Sequence, residues 1–127
     1  MADTPQFTEF QGIPLDPRTD YYRIFDDVDG ADLEWWKKAR DFCEFARPSI
    51  NEAWEKAEYN IPGAEEAARR GLIRDGIDIE GEPEMSIRAK RLIGFEISRL
   101  DASTATALGV QAGLAMQSIN LLGSEEQ

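Results

Sequence analysis

Ala102–Ser124 reads ASTATALGVQAGLAMQSINLLGS, and it contains no charged residue. That length could cross a bilayer. Thr104, Thr106, Gln111, Gln117, Ser118 and Asn120 interrupt it, however, and much of the remainder is Ala and Gly rather than Leu or Ile. Hydropathy logic therefore predicts a core helix over roughly Ala102 to Leu122 and no membrane span. A helix apolar nearly all round must be surrounded. If the rest of the chain covers only two or three of its faces, the bare side exposes an apolar patch near what a monomer tolerates. A missing domain, a ligand or a second subunit is then expected to cover it. The stretch ends on a matching signal. Gly123 reads as a left-handed C-cap, and Ser124 with Gln127 reads as a capping box behind two acids, a start with no helix after it. The expectation is a chain that forms the first part of a larger protein.

Working outward, a helix is predicted from about Gly30 to Ala46, capped by Asp29. Leu33, Trp36, Ala39, Phe42, Cys43 and Ala46 form its apolar stripe, and Glu34–Lys38 and Arg40–Glu44 pair on its wet side. Pro48 is expected to end it. A second helix opens at "SINE", where Ser49 and Glu52 make a capping box, and it carries Trp54 and Ala57. Pro62 falls in the first turn of a third, "PGAEEAARRG", closed by Gly71. "LIRDGIDIEGE" reads as loop with one short extended piece. Pro83 then starts a fourth helix running to about Leu100, with Met85, Ala89, Leu92, Ile93, Glu96, Ile97 and Leu100 on one face. No useful length alternates with a period of two. The fold class is all-α, an up-and-down domain of about five helices over residues 29–127, preceded by an extended arm over residues 1–28.

Composition narrows the function. The chain has 127 residues and a net charge of −11, which argues against binding nucleic acid or anionic membranes. One cysteine and no histidine exclude an internal disulfide, the usual zinc sites, and Ser-His-Asp or Cys-His catalysis. The N-terminal "MADTPQFTEFQG" has neither a signal-peptide nor a transit-peptide pattern, so the cytoplasm is the default expectation.

"EISRLDASTATALGVQAGLAMQSINLLGSEEQ" resembles the end of the N-terminal α-helical domain of the acyl-CoA dehydrogenases, most closely the branch containing glutaryl-CoA dehydrogenase. "ARPSINEAWEKAEYN" and "AARRGLI" resemble that domain's second and third helices, so the likeness covers roughly residues 20–127. It implies a three-domain flavoenzyme: this helical domain, a middle β-domain and a C-terminal helical bundle. FAD would lie mainly between the latter two, and the catalytic glutamate would belong to the last. The implied reaction takes the α-proton and β-hydride from an acyl-CoA thioester and gives the 2-enoyl-CoA. Electrons would pass to an electron-transferring flavoprotein, or to oxygen were it an acyl-CoA oxidase. By this reading the chain is truncated before the middle β-domain. It holds no catalytic residue, is inactive and binds no FAD alone, and is expected to oligomerise with copies of itself through the missing domains.

Its share of the site would be one wall of the acyl pocket: Ala105, Leu108, Gly109 and Ala112. A helix rich in Ala and Gly lets backbone approach an apolar ligand, although Gly109, Ala112 and Gly113 also suit plain helix packing. Where glutaryl-CoA dehydrogenases carry an arginine for the substrate's distal carboxylate, this chain aligns Ala105. A buried carboxylate without a partner is costly, so a monocarboxylic acyl chain is expected. The family's glycine-rich loop is altered here to "IEGEPEM", which brings in Glu80, Glu82 and Glu84.

Other candidates have structural readings. Glu96 is either a second carboxylate near the pocket or, preferably, a partner of Arg99. Asp101 caps the last helix. Glu65 and Glu66 lie on a solvated face. Trp35, Trp36 and Trp54 are core or interface anchors, Cys43 is an inert core thiol, and Arg88, Lys90 and Arg91 form a solvated basic cluster. The alternative function is a free-standing helical interaction module that docks a partner on its apolar last helix.

Overall fold

The computed structural model describes residues 8–10, 13–15, 22, 23 and 25–127. Of the expected arm, residues 1–7, 11, 12, 16–21 and 24 lie outside the described residues. Within it, β1 (Thr8–Phe10) and β2 (Ile13–Leu15) pair as a short antiparallel hairpin, with Thr8 opposite Leu15 and Phe10 opposite Ile13. The rest is helical: α1 (Gly30–Lys56), α2 (Ile61–Arg69), α3 (Ile87–Leu100), and a terminal rod made of α4 (Ala102–Gly109), a π-helical segment (Val110–Met116) and α5 (Gln117–Leu122).

The first two predicted helices are one. Helix α1 runs 27 residues with Pro48 inside it. Proline removes one backbone donor and crowds the preceding turn, but packing overrides that here, because Ile50 beyond the proline is buried in the same core as Ala46. Ser49 is no cap. Its hydroxyl donates to the Ala46 carbonyl at 2.9 Å and accepts from Asn60 Nδ2 at 2.9 Å. Asp29 occupies the N-cap position, yet its side chain makes no capping bond. The helix ends with Ala57 left-handed (φ 53°), and Glu58 N–H bonds back to the Ala53 carbonyl, the pattern of a Schellman close.

Helix α2 begins as expected, with Pro62 in its first turn, capped by Asn60 Oδ1 accepting from Gly63 N. Gly71 follows it at φ +71°. Helix α3 starts later than Pro83 suggests. Ser86 is its cap, accepting from Ala89 N at 3.0 Å and donating to Asp32 on α1. Residues 83–86 stay outside the helix, and two of their carbonyls are used elsewhere: Pro83 by Arg74 and Glu84 by the Trp35 indole. No strand forms in the 70–86 loop.

Asp32 meets Ser86, Arg40 approaches Glu96 and Trp54 bonds Asp101, so α1 and α3 run in the same direction. Helix α2 and the loop carry the chain back between them. The main core holds Trp35, Phe42, Ala46, Ala89, Ile93 and Ile97, among others. In a second cluster Phe25 and Val28 pack on Leu33, Trp36 and Leu92, with the Phe25 ring 4.9 Å from Trp36. The core thus recruits side chains from before residue 29. The predicted stripes of α1 and α3 are the buried faces, Glu96 included.

Candidate functional site

The terminal rod begins at Asp101. Its Oδ2 accepts from Thr104 N at 2.6 Å, and its Oδ1 from the Trp54 indole at 3.2 Å. Burial pushes the Asp101 carboxyl up. Hydrogen bonds from Thr104, Trp54 and the Ser103 backbone outweigh that and hold its pKa below the ordinary value. The rod then returns along α3. Only Leu108 and Ala112 are buried along its whole length. Val110, Leu114, Ile119, Leu121 and Leu122 are exposed, Leu114 by 65%, Leu121 by 74% and Leu122 by 86%. The expected core helix is therefore covered on one side and bare on the other, since α3 and the loop present a single facing surface. Among the described residues no helix is long and apolar enough to cross a membrane.

The π segment adds backbone to the rod at its middle, a local widening often found at functional sites. The 70–86 loop is fastened there. Gln117 Nε2 donates to the Asp75 carbonyl at 2.8 Å, and Lys90 Nζ meets Asp75 Oδ2 at 2.7 Å. Asp75 itself sits at φ 53°. Behind this latch lies a cavity of about 120 Å³, and all four predicted wall residues, Ala105, Leu108, Gly109 and Ala112, line it. Across from them stand Ile93, Ile97, Met85 and Leu72. Gly109, Gly94 and Ser98 are exposed and form its mouth; Leu108 and Ala112 form its floor.

Sequence reasoning missed a second cavity, about 250 Å³, where the end of α1, the start of α2 and the start of the rod meet around Ile50, Trp54, Tyr59, Ala64 and Ala107. Its apolar character comes from three segments distant in sequence, so no local pattern announces it. Arg74 was also missed. Its buried guanidinium donates to the carbonyls of Ile77 (3.1 and 3.2 Å) and Pro83 (2.9 Å) and lies over the Trp35 ring.

The remaining candidates resolve into structure. Glu96 accepts from Trp36 Nε1 at 2.8 Å and from Arg99 at 3.2 Å, and lies outside the 120 Å³ cavity. Trp35 and Trp36 are buried, whereas Trp54 is 63% exposed, with its indole N–H bonded to Asp101. Burial, then the nearby Glu96 charge, raise the Cys43 thiol to about 11, so it stays protonated at neutral pH. The basic cluster is split: Arg88 bonds Asp27 and Lys90 bonds Asp75, leaving Arg91 exposed. Glu66 is bonded by Arg69 and Arg70, which hold its carboxyl down at about 2. The four-apart pairs expected on α1 are replaced by Lys37–Glu34 and Arg47–Glu44. Glu80, Glu82 and Glu84 are exposed and line neither cavity. Gly123 is not left-handed (φ −75°). Its small size matters instead, because a Cβ there would fall 2.5 Å from the Ile119 carbonyl oxygen. Gln127 Oε1 accepts from Ser124 N at 3.0 Å, half of the predicted capping box.

The helical domain that carries the rod is also the stretch matched in the family comparison. The family model described as acyl-CoA dehydrogenase, N-terminal domain, matches residues 31–127, and the chain belongs to that family. Comparisons with curated proteins and with solved structures gave no match. The family is generally FAD-dependent. The cavities at the start and middle of the rod, about 250 and 120 Å³, are smaller than the roughly 300–1,000 Å³ of ordinary ligand pockets, whereas one of about 470 Å³ at its end, around Met116, Ile119 and Asn120, falls within that range.

Proposed function

We propose that the chain is the N-terminal domain of a FAD-dependent acyl-CoA dehydrogenase, one that oxidises an acyl-CoA thioester to the 2-enoyl-CoA. Its part is one wall of the acyl pocket, and by itself it is not catalytic. The observation that carries this is the rod. An uncharged helix gathers Ala105, Leu108, Gly109 and Ala112 on one apolar cavity and leaves a second apolar face uncovered. Such a wall binds and orders the acyl chain and keeps water from it, which raises the fraction of bound substrate in a reactive pose. Electrons pass to an electron-transferring flavoprotein, the full-length protein is a homo-oligomer, and it works in the cytoplasm. Ala105 stands where the glutaryl-CoA dehydrogenase branch aligns an arginine, so the acyl chain is monocarboxylic. The bare face of the rod would also suit the interaction-module alternative, but the family match does not favour it.

Gly109 supplies the test. It is helical, and a Cβ built on it meets nothing within 4 Å. This chain therefore has room for a β-carbon at Gly109, and Gly109→Leu in the full-length enzyme extends from there over the cavity mouth. The expected result is a fall in kcat/KM of about tenfold or more with an unchanged or slightly raised melting temperature, since glycine inside a helix costs roughly 0.5–1 kcal/mol. Unchanged kinetics for every acyl chain length tried would remove Gly109 from the pocket.

A further inference from the structure

Between the middle of α1 and the end of α3 lies a polar cavity of about 190 Å³, sharing no residue with the acyl cavity. Arg40, Cys43, Glu44 and Arg47 line it from α1, and Glu96 and Arg99 from α3. The spacing 40, 43, 44, 47 puts the first four on one helix face. Three guanidinium groups face two carboxylates, and the Cys43 thiol adds no charge because its pKa is about 11. In a chain of net charge −11, this lining is locally cationic.

Two of the three guanidinium groups have hydrogen-bond partners in the cavity wall. Arg47 bonds Glu44 at 3.1 Å, and Arg99 bonds Glu96 at 3.2 Å. Arg40 is different. Its side chain is 27% exposed, and its Nη1 makes an ion pair with Glu96 Oε1 at 3.6 Å, too long for a hydrogen bond. That nitrogen is the one buried side-chain polar atom left without a hydrogen-bond partner among the described residues. Glu96 is already engaged by Trp36 and Arg99. An unfilled buried donor calls for an explanation. A guanidinium fork is shaped for an oxyanion, and the cavity has room for several water-sized volumes of about 30 Å³ each. We propose that Arg40, with Arg47 and Arg99 at the mouth, binds a small oxyanion of the phosphate class, either free phosphate or the end of a phosphate monoester.

The test is an NMR titration of the 127-residue chain with inorganic phosphate, and separately with phenyl phosphate, each against chloride at equal ionic strength. Saturable shifts of the Arg40 Nε–H and Trp36 indole N–H signals are expected with phosphate and not with chloride. Tighter binding of phenyl phosphate identifies a phosphorylated organic ligand; tighter binding of inorganic phosphate identifies the free ion. Arg40→Met should weaken binding about tenfold, and Arg47→Gln or Arg99→Gln, at more exposed positions, about threefold. The exposed variants keep the test decisive should Arg40→Met unfold. Equal shifts with chloride, no saturation, or binding unchanged in both glutamine variants would overturn the proposal.

Discussion

Replacing Arg74 with methionine is expected to destabilise the chain by about 3 kcal/mol, because hydrogen bonds to a charged group contribute roughly 1.5–3 kcal/mol each and the orphaned carbonyls add desolvation. The side chain is only 4% exposed and makes three bonds to two carbonyls that lie six residues apart. Those bonds close the loop that carries Asp75 to the rod and Met85 to the core. Methionine keeps the apolar stem over Trp35 but has no donor. Lysine keeps the charge but lacks the planar fork, so Arg74→Lys should recover less than half of the loss. Urea melts of the three proteins measure this. A methionine variant within about 1 kcal/mol of the parent would mean that the loop is held by packing alone.

The second large effect is expected on the bare face. The chain alone should bind a hydrophobic dye or self-associate, because Leu114, Leu121 and Leu122 are exposed together on an uncharged rod. Changing all three to glutamate should cut dye binding severalfold while stability moves by no more than about 0.5 kcal/mol per site, as at ordinary surface positions. If the proposed function holds, the same charges in the full-length enzyme would be pressed against an apolar neighbour. Activity should then fall by about 100-fold or more, since unpaired buried charges cost several kcal/mol. Strong dye binding by the triple variant would place the dye site elsewhere, and full activity of the enzyme carrying it would show that this face is simply solvated.

Much of this was legible beforehand for a physical reason. The stripes of α1 and α3 repeat at the helical period, and residues such as Phe42, Ala46, Ile93 and Ile97 are buried accordingly. Asp101 and Pro62 are local signals acting locally, and both stand where the sequence puts them. Pro48 misled because a proline's cost of about 3 kcal/mol is set against the burial of Ile50 and its neighbours, which no local rule records. Pro83 misled because Arg74 and Trp35 claim the carbonyls of that segment. Ala105, Leu108, Gly109 and Ala112, the residues expected to form a wall, line one cavity because they share a helix face. The latch at Asp75, Lys90 and Gln117 depends on a loop conformation that no periodicity specifies, and so does the 250 Å³ cavity around Trp54.

The most direct measurement is photolabelling of the full-length enzyme with an acyl-CoA whose tail carries a diazirine, followed by peptide mapping. Label is predicted on the rod, centred on the peptide from Ala105 to Leu114, and it should be lost when unlabelled substrate competes. Competable label confined to peptides outside residues 102–122 would contradict the assignment of this rod as a wall of the acyl pocket.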